Sequence, residues 1–473
     1  MNNLQKKLDY LQKDYKNYNQ DLIKYIFDSI IRYQNTSLNI SIKTLSSLIN
    51  EILKNYNIDQ NKQIDERKLL ANCVARMNIH GLIKEPDDYQ PTYPYRGMFY
   101  LNPFIGCNYG CIYCYRNDSN GNTKDWYLKG KPIQIMSAKE SVDSMVNHPW
   151  FVKDVTNIGL HSSTTDPFIP AVKKSTFELL DEIEKKGLKN DVILITKYFI
   201  EENDIKKLEQ YKNNIIIFLT YTANPPQVEP LGSIPAVKEK IWKTRNLLNE
   251  SKKLRWGHYY RPITEGWNDS PTQIKEALEF GSLAEVSIIG GLKPIENIEE
   301  LSKENNLPVP KGKFKGRTYK YLSQKIIDRI FEINKEYNNV IVNDQSCGIT
   351  ILKGRNNKLY PNIEGLKMYD NYYENSNKNS RIDNNIKRGC FKCSIKQMNI
   401  CDQKDYTPKE DEIDSILKKV FGKQRKYKVN DDGLFIYVEK SENIPLHMKM
   451  AISTTLNYAV FLINQEEEVD SSF

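Results

Sequence analysis

From Gly97 onward the chain alternates short apolar runs with amphipathic stretches of helical period, and this alternation restricts its fold more than any other feature. The strand-like runs are Met98–Leu101, Val155–Leu160, Val192–Ile195, Ile215–Tyr221, Leu254–Tyr260, Val286–Ile289 and Val340–Val342. Helical patterns lie between most of them, such as Ser175–Lys186, Ile205–Tyr211, Val237–Leu248, Thr272–Phe280 and Tyr321–Asn334. Strands alternating with helices imply a parallel sheet. The predicted fold class is α/β, an open partial (β/α)6 barrel with an N-terminal helical domain and a C-terminal cysteine-rich extension. In such a barrel the chemistry sits on loops at the C-terminal ends of the strands.

The flanks read differently. Residues 1–92 are predicted to be a helical N-terminal domain. Leu22, Ile23, Ile26, Phe27, Ile30 and Ile31 recur at helical spacing; Ile42, Leu45, Leu48, Ile49, Ile52 and Leu53 form a second stripe with Ser41 as its cap. A third runs through Leu69, Leu70, Cys73, Val74 and Met77. The stretch Glu85-Pro-Asp-Asp-Tyr-Gln-Pro-Thr-Tyr-Pro reads as a linker into the barrel, residues 93–344. Residues 345–407 are polar and weakly periodic. They cannot bury much apolar surface, so an auxiliary metal site is the expected source of order. Residues 408–473 read as a small α+β cap, with a strand over Leu434–Val438 and a helix through Met448, Ile452, Leu456 and Phe461.

Charged residues make up 27% of the chain, and the formal net charge is +8. That permits an anionic partner such as nucleic acid, although the Lys and Arg are dispersed. The first residues, Met1-Asn-Asn-Leu-Gln-Lys-Lys, carry no apolar segment of a signal peptide, and no apolar run is long enough to span a bilayer. A cytoplasmic location with no membrane partner is expected. Thiols stay reduced there, so clustered cysteines argue for metal rather than disulfides.

Seven of the eight cysteines fall into two groups. Cys107, Cys111 and Cys114 are spaced Cys-x3-Cys-x2-Cys after the first strand, where a barrel keeps its chemistry. Soft thiolates suit iron–sulfur. Three of them hold three irons of a cubane and leave the fourth open to bind a small molecule and pass it one electron. The second group is Cys390, Cys393 and Cys401, with Cys347 upstream. Four thiolates close either a tetrahedral zinc site or a [4Fe-4S] cluster.

Polar residues recur at the later strand ends. His161-Ser-Ser163-Thr-Thr165-Asp166-Pro167 follows the second strand, Thr196-Lys197 the third, Thr220-Tyr-Thr222-Ala-Asn224 the fourth and Arg261-Pro262 the fifth. Singly each reads as a cap or turn. Together, on one rim, they favour a site in which hydroxyls and a carboxylate bind amino or ribose groups, Lys197 pairs with a carboxylate and Arg261 faces substrate.

These residues resemble the radical S-adenosylmethionine (SAM) superfamily, and within it the spore photoproduct lyase and DNA-repair-photolyase-like branch. The likeness rests on Cys107–Tyr115, with the aromatic Tyr113 before its last cysteine, on Ser163-x-Thr165-Asp166-Pro167, on Lys197 and on Arg261-Pro262, and it covers residues 95–344. It implies a radical SAM core with a [4Fe-4S] cluster on Cys107, Cys111 and Cys114. It implies SAM contacts from Thr165, Asp166 and Lys197, with Thr220 or Thr222 as a weaker match, and a reductant such as flavodoxin or ferredoxin. The implied reaction is reductive cleavage of SAM to a 5′-deoxyadenosyl radical that takes hydrogen from substrate. Tyr115 matches the tyrosine that relays a hydrogen atom in the lyase. The spacing of the second cysteine group is similar to auxiliary-cluster segments in other radical SAM enzymes, which favours iron–sulfur over zinc there.

One departure bears on substrate. The hydrogen-donor cysteine of the lyase falls at Ser163, whose O–H bond is too strong to quench a carbon radical easily. The expected reaction is therefore not repair of spore photoproduct itself. A nucleic-acid base suits the photolyase-like core, the basic charge and the many tyrosines, which can stack on bases. The alternatives are a peptide or protein substrate, suited by the helical and cysteine-rich appendages, and a non-catalytic iron–sulfur regulatory protein, against which Asp166 and Lys197 argue.

Overall fold

The computed structural model describes most of residues 92–353 and 408–464, together with residue 24. Residues 115–131, 163, 311–321 and 354–407 are the principal stretches outside the described set. The expected N-terminal helical domain, Tyr115, Ser163, Cys390, Cys393 and Cys401 therefore lie outside the described residues.

Strands β1 (Thr92–Tyr95), β2 (Met98–Leu101) and the short antiparallel pair β3 (Phe104–Ile105) and β4 (Ile133–Gln134) open the described region. Six more follow: β5 (Asn157–Leu160), β6 (Val192–Thr196), β7 (Ile215–Thr220), β8 (Arg255–Ile263), β9 (Ser287–Gly291) and β10 (Ile341–Val342). They form one sheet in the order β1-β2-β5-β6-β7-β8-β9-β10. Every pair from β2 to β10 is parallel, and β1 lies antiparallel on the edge. The sheet is open among the described residues, ending at β1 and β10. All seven predicted strands of the barrel are present.

Strand β1 is a difference from the reading of that stretch as a linker. Pro94 has no N–H to give a ladder, and the outer position is where a strand tolerates it.

The crossovers are helices α1 (Ala138–Val146), α2 (Pro170–Lys185), α3 (Glu202–Leu208), α4 (Pro235–Glu250), α5 (Pro271–Gly281), α6 (Ile298–Glu304) and α7 (Gln324–Asn334). Three of these begin on proline, whose missing N–H costs nothing in the first turn. Reciprocal capping boxes, Ser137 with Glu140 and Ser270 with Gln273, fix the starts of α1 and α5.

Alternate residues of the strands feed two cores. Phe99, Leu101, Leu194, Ile217 and Leu219 pack under the outer helices with Val142 and Leu179. Met98, Ile193, Ile216, Phe218 and Ile288 face the other way and are covered by Ile349 and Leu352 of helix α8 (Gln345–Leu352). Burial on both faces explains why these strands read as continuous apolar runs. Gly348 lets α8 approach closely, since a Cβ there would stand 2.5 Å from the Ile288 side chain.

Helix α9 (Glu410–Phe421) and strands β11 (Tyr427–Asn430), β12 (Gly433–Val438) and β13 (Val460–Asn464) form a smaller C-terminal layer. Phe461, expected to continue a helix from Met448 through Leu456, instead lies in β13, parallel to β12. Val460-Phe-Leu-Ile is a β-branched and aromatic run that suits the strand. No helix of the described residues is long and apolar enough to cross a membrane.

Candidate active site

The cysteine loop follows β2 and the short strand β3. Gly106 and Gly110 take positive φ, 92° and 80°, and fold the loop back on itself. Cys107 and Cys114 are partly buried and Cys111 is buried, and none of the three is in a disulfide. The Cys114 amide donates to the Cys111 carbonyl at 3.2 Å.

Three groups that are not cysteines tether this loop. The Ile112 amide donates to the Val228 carbonyl at 3.2 Å. The Tyr109 hydroxyl donates to the Lys197 carbonyl at 2.9 Å. The Tyr113 hydroxyl donates to the Glu229 carboxylate.

Burial pushes the Cys107 thiol up to about 12, with Asp166 adding to the rise. Burial likewise pushes Cys111 up, against the pull of Lys197. Cys107 also senses the charge of Cys114, and Cys111 that of Cys114 and Cys107. Thiolate ligation by these residues would release their protons. Among the described residues no three ligating groups are drawn into a closed coordination set. The fit to such a cluster rests on the donor chemistry, three soft thiols in one tethered loop at a strand end, and that chemistry suits it.

Asp166 sits beneath the rim after β5. Its carboxylate accepts from the Phe168 amide at 2.9 Å, the Thr196 hydroxyl at 2.8 Å and the Lys197 amide at 2.6 Å. Burial raises its pKa against these donors. In this arrangement Asp166 fixes the backbone on which Lys197 stands. Thr165, in the same loop, has its hydroxyl buried near Cys107. His161, at positive φ, is fully buried with its ring edge-on to Phe104 at 5.8 Å, and burial pushes it down to about 3.

Lys197, expected to pair with a ligand carboxylate, has a carboxylate of the chain itself beside it. Its Nζ lies 2.9 Å from Glu229 Oε1 and 5.2 Å above the Tyr113 ring. Burial pulls the ammonium down, but Glu229 and Cys111 together hold it above its ordinary value. Burial pushes Glu229 up, and Lys197, Tyr113 and Asn224 outweigh it and hold the carboxylate below its ordinary value. Thr222 Oγ1 and Asn224 Nδ2 donate to the same oxygen at 3.1 Å and 3.2 Å.

The structure thus brings Tyr113, Lys197 and Thr222 together beside Cys111, with Asp166 and Thr165 beneath. Thr220 is buried in the end of β7. Arg261 stands apart, at the end of β8, with its guanidinium 5.2 Å from the Tyr259 ring centre. Cys347 follows β10 as expected, within the first turns of α8. Glu229 was absent from the sequence-based site, and Asn224 entered it only as the end of the rim segment after the fourth strand. No motif spacing marks Glu229, although it is the one carboxylate among residues 220–232.

No family model matches the chain, and no curated protein matches it. Among solved structures it is similar to a point mutant of spore photoproduct lyase at 13% identity, covering 50% of this chain and 74% of that one, with a TM-score of 0.37. It is similar to spore photoproduct lyase complexed with dinucleoside spore photoproduct at 14% identity, over 50% and 74% of the chains, with a TM-score of 0.36. HydG, a maturase of the [FeFe]-hydrogenase, aligns over 73% of this chain and 69% of its own at 11% identity and a TM-score of 0.31.

Proposed function

We propose that the chain is a radical SAM enzyme acting on a nucleic-acid base. The observation that carries this reading is the three-thiol loop at the C-terminal end of the first parallel strand, tethered beside a buried Lys197–Glu229 pair. A cluster held by Cys107, Cys111 and Cys114 would supply one-electron cleavage of SAM to a 5′-deoxyadenosyl radical, which takes hydrogen from substrate.

The chain's own residues bind and orient. An amino-acid end carries a carboxylate and an ammonium, and Lys197 and Glu229 offer the complementary charges side by side. Thr222 and Asn224 hold the Glu229 oxygen in place, and Asp166 holds the Lys197 backbone. The Tyr113 ring packs against the Lys197 ammonium, 5.2 Å from its centre. Thr165, Thr220 and Ser163 are assigned to the nucleoside side of SAM, and Tyr115 to hydrogen relay. Flavodoxin or ferredoxin is the assigned reductant. Cys347, Cys390, Cys393 and Cys401 are assigned to a second [4Fe-4S] cluster. The basic net charge supports the substrate class.

The test is formation of 5′-deoxyadenosine from SAM by the anaerobically reconstituted protein under dithionite. It is expected in the wild type and lost when Cys107, Cys111 and Cys114 are replaced by Ala. Activity retained in that triple variant would sink the assignment.

A further inference from the structure

The second cation of the rim has no matching carboxylate. Arg261 makes no ion pair among the described residues, and its Nε is buried with no hydrogen-bond partner. The side-chain amide nitrogen of Gln345 is also buried with no partner. Both residues belong to one arrangement around Tyr259. The Arg261 guanidinium stands 5.2 Å from the ring centre, and the Tyr259 hydroxyl donates to Gln345 Oε1 at 3.4 Å, leaving the amide nitrogen turned to other use. Gly290 on β9 gives the guanidinium its room, because a Cβ there would lie 2.5 Å from Arg261 Nε.

A buried guanidinium Nε–H and a buried amide N–H, each without an acceptor, cost free energy that no contact among the described residues offsets. Native cores satisfy such donors, and two left open around one tyrosine point to an acceptor that arrives from outside. An oxyanion is that acceptor. It presents several oxygens to a planar fork and to a neighbouring amide at once. The rim cation near the cysteine loop, Lys197, is already matched by Glu229, so the two cations serve different ligands.

We propose that Arg261 and Gln345 form an oxyanion subsite for a phosphate of the substrate, with Tyr259 as its floor and Gly290 as the clearance beneath Arg261. The proposal deepens the function above and rests on it for placing the reaction at this rim. Its test requires neither cluster nor turnover.

The probes are inorganic phosphate, followed by phosphorus-31 line broadening, and a labelled single-stranded oligothymidylate, followed by fluorescence anisotropy at low salt. Both are titrated into the full-length chain. Arg261→Gln is expected to weaken both by about tenfold or more, the scale of one lost charge-assisted contact. Arg261→Lys keeps the charge but loses the fork, and recovers part of the affinity. Gly290→Ala keeps every charge and is expected to weaken both probes by displacing the guanidinium. Circular dichroism of each variant separates loss of fold from loss of site. Weakening of both probes places the subsite on a strand phosphate, and weakening of phosphate alone places it on a mononucleotide. Unchanged phosphate affinity in Arg261→Gln and Gly290→Ala overturns the subsite, whatever happens to the oligonucleotide. Loss of SAM affinity in the same variants, read by equilibrium dialysis, overturns it too and gives Arg261 to the cofactor. A wild type that binds phosphate yet forms no 5′-deoxyadenosine would leave the subsite standing and remove the enzyme.

Discussion

When Glu229 is replaced by Gln, Lys197 keeps its burial and loses its ion-pair partner. Breaking one half of a buried pair costs ~3–5 kcal/mol, because the other charge stays desolvated. Glu229→Gln is therefore expected to lower unfolding free energy by about that much, while Lys197→Met combined with Glu229→Gln costs less than the sum of the two singles. Denaturant titration of the three variants checks this; additive costs would mean the pair does not couple. The same pair sets a pH window. A carboxyl held below its ordinary value of 4.5 contributes stability that is present above that value and lost as pH falls through its lower folded value. An ammonium held above 10.5 contributes stability that is full below that value and lost as pH rises through its higher folded value. Glu229→Gln should flatten the acid limb of a melting-temperature profile, and an unaltered limb would count against the pair. At this scale the sequence was uneven. Lys197 was legible because it closes an apolar strand. Glu229 was not, because a lone carboxylate in a Pro-Pro-Gln-Val-Glu loop declares its partner only once β6 and β7 lie side by side.

Strand β8 shows how an element is locked in register by polar groups. His258 is fully buried, with Nε2 2.7 Å from the Tyr221 carbonyl at the end of β7 and Nδ1 3.2 Å from the Ser287 hydroxyl on β9. Burial pushes it down to about 4 from 6.5, so it is neutral in the fold. A base whose folded pKa is depressed contributes stability present above its ordinary value and lost as pH falls through the folded value. Melting temperature should thus decline between pH 6.5 and 4, with His161 extending the decline toward 3. A profile flat across that window would show that neither histidine is charged on unfolding. Gly281 at the end of α5 leaves no room beside this bridge: a Cβ would stand 2.5 Å from His258 Nδ1 and 2.6 Å from Ser287 Oγ. Gly281→Ala is expected to cost ~1–3 kcal/mol by overpacking, measured by chemical denaturation. The strands themselves were readable because a parallel sheet buried on both faces leaves a continuous apolar signature. The last helix was misread past Leu456, since an apolar run of that length fits helix and strand equally and pairing with β12 decides.

Across the whole molecule, the C-terminal layer is joined to the sheet through one apolar seam. Val152 and Val155, on the approach to β5, share a core with Ile413, Leu417, Leu434 and Ile452, and the Thr455 hydroxyl donates to the Val155 carbonyl at 3.2 Å. Leu417→Ala removes a fully buried side chain from that seam and should cost ~2–5 kcal/mol; a smaller loss with an early, separate unfolding transition would mean the layer melts alone. The architecture of the sheet followed from period and composition. The seam did not, because contacts between residues hundreds of positions apart leave no periodic trace.

The tethers on the cysteine loop have a consequence for the life of the protein. Tyr109, Ile112 and Tyr113 hold that loop to the rim through hydrogen bonds that owe nothing to metal. A loop shaped by its cluster would collapse each time oxygen destroyed the cluster, and recovery would be a folding problem. A loop kept in place by its neighbours would turn recovery of the proposed cluster into reloading with fresh iron and sulfide.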